Sequence, residues 1–341
     1  MSLPTRSLGK NGPQVTALGF GTMGLSAFYG PTKPDNERFA VLDAAFAAGE
    51  LNWDSADVYM DSEDLLGKWF AANPGKREKI FLATKFGAFR IEEDGQRGPT
   101  DSTPEYCKKA IERSLKRLGL PYVDLYYAHR LDGKTPVEKT VAAMAELKAE
   151  GKIKHIGLSE VSAESLRRAY KVHPIAAVQI EYSPFTLDIE DPQIALLQAC
   201  RELGVAVVAY SPLGRGMLSG KLRSTADLAA DDFRRMIPRF SEENFPKNLA
   251  LVDEISRIAE HKSVTPSQLT LAWLLAQGDD IIPIPGTTSI DRLKENLGSL
   301  SVQLTEEEKN AVRKSAEEAE VHGVRYPPAF LALSFADTPA L

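Results

Sequence analysis

Asp54, Tyr59, Lys85 and His129 combine a carboxylate, a phenol, an ammonium and an imidazole, a set able to move a proton to an oxygen atom under control. Asp54 ends the run Leu51-Asn52-Trp53, Lys85 ends Ile80-Phe81-Leu82-Ala83-Thr84, and His129 ends the run from Val123 to Ala128. Tyr59 follows Asp54 by five residues, in the adjoining loop. If the three runs are strands of a parallel α/β protein, the polar groups gather at the strands' carboxyl ends. Ligands bind there because the βα loops vary while the buried strands do not. A free phenol has a pKa of about 10, and a neighbouring ammonium lowers it by roughly one to three units. Lys85 would supply that charge, Asp54 would keep Lys85 protonated and oriented, and His129 would position a substrate oxygen or join the relay. The chemistry expected is protonation of a carbonyl oxygen by Tyr59 while another group delivers hydride to carbon. Taken singly, these residues have ordinary explanations: a strand-end cap, packing, a solvated loop end, a core histidine. Their joint occurrence at three successive strand ends favours catalysis. Schiff-base chemistry at Lys85 is the competing enzymatic reading, disfavoured by Asp54 and Tyr59 beside it.

The elements that have to hold these groups recur with one rhythm. From Ala17 to about Gly298 a short apolar run is followed by an amphipathic helical stretch. Candidate strands are 17–20, 51–53, 80–84, 123–128, 153–158, 175–180, 205–210 and 281–284. Val205-Ala206-Val207-Val208-Ala209 is apolar on successive residues, which suits a strand buried on both faces. Thr103-Pro104, Thr135-Pro136, Asp191-Pro192 and Thr265-Pro266 each place a capping oxygen before a proline, and Glu138 and Gln268 would complete capping boxes. Val137, Val141, Met144 and Leu147 form one helical stripe, as on an outer helix. Eight strands, each followed by a helix, are most economically closed as an α/β fold of (β/α)₈ TIM-barrel type. One domain over 1–341 is expected, with the barrel at about 17–298. Residues 3–16 predict a hairpin turning at Asn11-Gly12. Residues 214–247 are a long irregular stretch, and 299–341 hold a further helix, opened by a box from Thr305 to Glu308, and a Pro-rich tail.

A composition of 43% hydrophobic and 26% charged residues is that of a soluble globular chain. With a net charge of −6 and no basic stripe, nucleic acid is not an expected partner. No stretch reaches the ~18 apolar residues of a membrane span. Met1-Ser2-Leu3-Pro4-Thr5-Arg6 has no apolar signal core, so a cytoplasmic location without membrane association is expected. Two cysteines, Cys107 and Cys200, suit a reducing compartment, and no metal is called for. The oligomeric state is not legible.

Gly19-Phe20-Gly21-Thr22-Met23-Gly24 satisfies G-x-G-x-x-G after an apolar run. A dinucleotide-binding turn of that kind needs a helix beginning within the motif, and Gly30, Pro31 and Pro34 argue against one. The glycines are read instead as allowing close backbone approach at the first strand end.

Leu18 to Gly24, Trp53-Asp54-Ser55-Ala56-Asp57-Val58-Tyr59, Thr84-Lys85 and Asp124-Leu125-Tyr126-Tyr127-Ala128-His129-Arg130 together resemble the aldo-keto reductases, NADP(H)-dependent (β/α)₈ barrels. Tyr210-Ser211-Pro212-Leu213-Gly214-Arg215-Gly216 and Ile284-Pro285-Gly286-Thr287-Thr288 look most like the branch containing pyridoxal reductases and plant or fungal carbonyl reductases. The resemblance implies a catalytic tetrad of Asp54, Tyr59, Lys85 and His129, with Tyr59 as general acid. It implies that Gly21, Thr22 and Met23 border the NADPH or NADP⁺ site, that Ser159 and Gln179 hold the carboxamide, and that Tyr210 stacks on the nicotinamide. Ser211 would also bind the cofactor, backbone from Leu213, Gly214 and Gly216 would follow the pyrophosphate, and Gly286, Thr287, Thr288, Arg292, Glu295 and Asn296 the adenosine end with its 2′-phosphate. Many members have an asparagine where this chain has Glu160, and a lysine where it has Gly286. Phe28, Phe89, Arg130 and Leu131 are expected around a small carbonyl substrate, with 214–247 and the tail near Tyr326 and Phe330 as lids. The family fold also serves as a regulatory subunit of channel complexes, for which this chain shows no extended amino-terminal interaction segment.

Overall fold

Apolar side chains on both faces commit the eight runs to a sheet covered inside and out, and in this computed structural model they form eight parallel strands. The structure describes residues 2–92 and 95–341; Met1, which begins the amino-terminal stretch read above, lies outside them. A hairpin comes first, β1 (Thr5–Ser7) and β2 (Gln14–Thr16), with Asn11 in the left-handed region at its turn. The parallel strands are β3 (Phe20–Gly21), β4 (Asn52–Asp54), β5 (Phe81–Phe86), β6 (Val123–Ala128), β7 (Ile153–Ser159), β8 (Ala177–Glu181), β9 (Ala206–Tyr210) and β10 (Ile281–Pro283). Each pairs with its sequence neighbour. Around them lie α1 (Met23–Ser26), α2 (Asp35–Ala48), α3 (Ser62–Ala72), α4 (Pro104–Leu118), α5 (Val137–Ala149), α6 (Ala163–Val172) and α7 (Leu196–Leu203). They continue with α8 (Phe245–His261), α9 (Pro266–Leu275), α10 (Ile290–Gly298), α11 (Glu306–Glu318) and α12 (Pro328–Leu331). No helix among the described residues is long and apolar enough to cross a membrane.

The barrel closes where its first strand meets its last. Gly19 N–H donates to Pro283 O at 2.9 Å, Gly21 N–H to Pro285 O at 3.3 Å, and Gly21 bridges Gly286 in parallel. A side chain on Gly21 would put its Cβ 2.9 Å from Ile284 O, and one on Gly286 would put its Cβ 2.7 Å from Gly21 O. Gly19 and Gly21 of the G-x-G-x-x-G match therefore serve close approach, as expected, whereas a Cβ on Gly24 would meet its nearest neighbour only at 3.5 Å. A helix does start inside that motif, but α1 is a single turn ending at Ala27, whose extended backbone stops it.

Two apolar layers result from the alternation of side chains along a strand. Ala83, Leu125, Tyr127, Ala177, Ala206, Val208, Ile282 and Ile284 form the inner layer, which Leu8 and Val15 of the hairpin segment join. Arg6 donates to Gly278 O at 2.8 Å and Lys10 N–H to Gly204 O at 2.6 Å, so the hairpin plugs the amino-terminal end of the strands. The outer layer joins strands to helices; in it Trp53 of β4 packs on Trp69 of α3 with ring centroids 4.9 Å apart. Val137, Val141, Met144 and Leu147 lie buried in that layer, as their stripe requires.

The caps are partly as expected. Thr103 and Thr265 cap their helices, and Gln268 and Glu308 complete boxes. At Thr135-Pro136 the helix starts one residue later, because the Thr135 hydroxyl donates to Asp132 at 2.8 Å, and no box forms at Glu138. Asp191-Pro192 opens no helix: Asp191 accepts from Gln193 N–H at 2.7 Å, and α7 waits for Leu196 after a left-handed Ala195.

Gly286→Ala should destabilise the protein by about 1–3 kcal/mol, the usual penalty of overpacking, since the added methyl meets backbone that cannot swing aside. Denaturant titration followed by circular dichroism checks this; an unchanged midpoint would mean the seam has room.

Candidate active site

The inner-layer positions, two residues apart, lead directly to the rim. Ala83 is followed on its face by Lys85, Leu125 and Tyr127 by His129, Ala177 by Gln179, and Ala206 and Val208 by Tyr210. Asp54 pairs in register with Ala83, and Ser159 with Gln179, which puts both on the same ring. The sequence runs thus end in a circle of polar groups over an apolar floor.

At its centre Lys85 is fully buried. Its ammonium donates to Asp54 Oδ1, to Ser55 O at 2.7 Å and to the Tyr59 hydroxyl at 3.3 Å. The other carboxylate oxygen of Asp54 accepts from the Gln179 amide at 2.8 Å. The Tyr59 ring meets His129 edge-on, centroids 5.8 Å apart. Its loop is clamped from α4: Arg113 binds the Asp57 carboxylate at 2.8 Å, and Arg117 donates to Asp57 O at 3.1 Å and to Met60 O. All four sequence candidates are brought together.

The electrostatics differ from the sequence-based expectation at Tyr59. Burial, then the Asp54 charge, pushes its phenol well above the ordinary value instead of below it. The ammonium does not reverse this, because its charge is compensated by Asp54 and its own pKa is lowered by burial. Tyr59 therefore keeps its proton across the neutral range, the state a proton donor needs. Burial, with Arg130 and Lys85 nearby, pushes His129 well below the usual imidazole value, so the ring is neutral. Its buried Nδ1 has no partner.

The remaining rim groups sit as follows. Arg130 turns to Ser159 Oγ at 3.2 Å and to His129 O at 2.7 Å, and Leu131 lies within the outer core, away from the mouth. Tyr210 ends β9, and its hydroxyl donates to Glu160 at 2.7 Å. Beyond it Ser211, Arg215, Gly214 and Gly216 all have positive φ, and Gly214 and Gly216 N–H close tight turns on Ser211 O and Leu213 O. Thr22 spends its hydroxyl on Asp54 O at 2.9 Å, between Gly21 and Met23. Thr287 and Thr288 follow Gly286 toward the amino end of α10, where Ser289 caps; Arg292 there is exposed, Asn296 buried, and Glu295 pairs with Lys221 at 2.9 Å. Phe28, at a left-handed φ of 72°, sets its ring edge-on to Tyr59 at 6.4 Å and to Phe233 at 5.6 Å. Phe89 meets Phe330 at 5.8 Å. Among the described residues no group of three or more His, Cys, Asp or Glu could hold a metal ion.

Sequence reasoning missed Phe233, which lies in an irregular stretch without periodicity, and the Gln179 bond to Asp54. The shared inward parity of Ala177 and Gln179 was a usable signal for the latter.

The chain is similar to known proteins in sequence and in fold. The profile described as Aldo/keto reductase family matches residues 17–317. The aldo-keto reductase str7 of Strobilurus tenacellus is 57% identical over 330 residues, 95% of each chain. The aldo-keto reductase yakc [NADP(+)] of Schizosaccharomyces pombe is 48% identical over 343 residues, 100% of this chain and 99% of its own. Among solved structures, the glycerol dehydrogenase of Gluconobacter oxydans superposes with a TM-score of 0.82 at 28% identity, covering 96% of this chain and 99% of that one. A thermostable aldo-keto reductase in complex with the inhibitor epalrestat gives 0.73 at 29% identity, covering 92% and 100%.

An unfolded chain ionises Tyr59 near pH 10, whereas the folded chain holds its pKa higher, so the stability tied to this phenol is complete below about pH 10 and is lost as pH rises further. In near-ultraviolet difference spectra against Tyr59→Phe, no phenolate signal from this residue should appear below about pH 10. A phenolate appearing near neutrality would contradict the buried, proton-loaded state.

Proposed function

Since this chain belongs to the aldo/keto reductase family, we propose that it reduces aldehydes or ketones to alcohols with NADPH, Tyr59 handing its proton to the carbonyl oxygen. The observation that carries the proposal is the contact of the Tyr59 hydroxyl with the Lys85 ammonium at 3.3 Å, the ammonium being held in turn by Asp54.

The donor set fits a nicotinamide dinucleotide. Ser159 and Gln179 stand side by side on β7 and β8, with the Gln179 carbonyl oxygen left over once its amide has bound Asp54. Tyr210 offers its ring on the next strand, and the turns at Ser211 to Gly216 bring backbone to the rim. Bound NADPH supplies the hydride that reduces the carbonyl carbon. His129, neutral, hydrogen-bonds the carbonyl oxygen through a ring N–H and keeps it beside the phenol. As Tyr59 gives up its proton, the ammonium of Lys85 stabilises the phenolate, and Asp54 keeps that ammonium charged. The rings of Phe28, Phe89, Phe233 and Phe330 exclude water at the mouth and favour an apolar carbonyl compound.

Gly286 stands where the resemblance places a lysine in many members of the family, and in this chain a Cβ there would lie 2.7 Å from Gly21 O. Charge for the 2′-phosphate then falls to Arg292, with the hydroxyls of Thr287 and Thr288 and the amino end of α10. We read 1–341 as one cytoplasmic enzyme domain.

Tyr59→Phe should lower carbonyl reduction by roughly two to four orders of magnitude while NADPH still binds, the usual worth of a general acid. Steady-state rates with NADPH and NADH over pyridoxal, aromatic aldehydes and small ketones check this. Undiminished turnover in Tyr59→Phe, or borohydride trapping of substrate on Lys85, would replace the mechanism.

A further inference from the structure

Glu160 follows Ser159 at the end of β7 in the left-handed region, at φ 53°, a conformation that a non-glycine residue keeps only when its surroundings enforce it. Its carboxylate has no exposed surface. It accepts both terminal nitrogens of Arg325 at 2.7 Å each, and the Tyr210 hydroxyl at 2.7 Å. Arg325 also donates to that hydroxyl at 3.1 Å, and the Tyr326 hydroxyl stands 3.1 Å from it. Two of the three groups on the Tyr210 phenol thus come from the segment after α11. The same segment returns to the backbone of Glu160, whose carbonyl accepts Ala336 N–H at 2.7 Å, while Ser162 N–H donates to Ala336 O at 2.9 Å. From the other side Arg215 donates to Arg325 O at 2.8 Å, lies 4.4 Å from the Tyr326 ring and pairs with buried Glu181 at 2.9 Å. A tie serving only to fasten the tail needs Arg325 and Ala336; it has no need of the phenol whose ring borders the nicotinamide site.

We infer that Glu160 and Arg325 are positioning residues: their buried pair latches the carboxyl-terminal segment onto the Tyr210 hydroxyl, so that an ordered tail and a fixed ring platform for the cofactor are one unit. This rests on the reading of Tyr210 as that platform. Removing either charge takes from its buried partner the nearest counter-charge, Arg325 keeping Glu181 and Asp188 only at 3.6 Å each, a worse state than removing both.

Isothermal calorimetry with NADPH and limited proteolysis of the tail, applied to the full chain, test the latch in Glu160→Gln, Arg325→Met, the double variant and Tyr210→Phe. Each single charge variant should raise the Kd for NADPH about tenfold and speed tail cleavage by a similar factor, as truncation of a buried charged pair does. The double variant should bind no more weakly than the worse single one, because the effects share one contact. Tyr210→Phe, which keeps the ring and loses only the hydroxyl, should weaken binding several-fold. Faster tail cleavage with a Kd within about twofold of wild type would reduce the pair to a structural tie and overturn the inference. If the charge variants fail to fold, Tyr210→Phe decides alone, and an unchanged Kd overturns it. Wild-type protein that does not bind NADPH would sink the functional reading together with this one.

Discussion

A lysine ammonium with no exposed surface cannot stay charged alone, and the site is built around meeting that requirement at Lys85. Isolated charge in a protein interior is neutralised or paired. Here Asp54 supplies the opposite charge and Ser55 O a further acceptor, both from the end of the neighbouring strand. The β4–β5 register therefore does chemical duty: with Asp54 opposite Ala83, Lys85 lies one pleat further on and on the same face. Sliding that register by one residue would turn the ammonium toward the outer apolar layer. Gln179 holds the second oxygen of Asp54, which extends the constraint across the barrel to β8.

Much of this was legible in the residues. Runs of consecutive apolar side chains located the strands to within a few positions, and the polar residues ending them located the rim. Thr103, Thr265 and Thr305 announced their helices because a capping oxygen, with a following proline at Thr103 and a third-residue partner at Thr265 and Thr305, is a local signal. The same signals failed at Thr135 and Asp191, where another local bond used the oxygen first. The ionisation of Tyr59 is not legible in the residues, because sequence shows the neighbouring charge and hides the depth of burial, which outweighs it. Arg325 and Phe233 were beyond reach for a different reason: their contacts join segments far apart in the chain and without periodicity.

Backbone strain follows the same division between scaffold and site. Phe28, Glu160, Ser211 and Arg215 all adopt positive φ without being glycine, and all lie in loops at the carboxyl ends of strands. The opposite end is plugged by the hairpin and carries Asn11, a residue type that tolerates this region. Several of these conformations thus fall where side chains have to be aimed, while Ala195 and Ser263 adopt the same region at helix ends.

Trp53 sits one residue before Asp54, its indole buried against Trp69 on the outer face of the strand whose last residue reaches into the barrel. Trp69 and Trp273 are also fully shielded from solvent, so emission characteristic of buried indoles is the expected behaviour of the folded chain. The chain therefore carries an intrinsic optical probe one residue from the carboxylate that holds Lys85, and no dye need be attached to follow that strand.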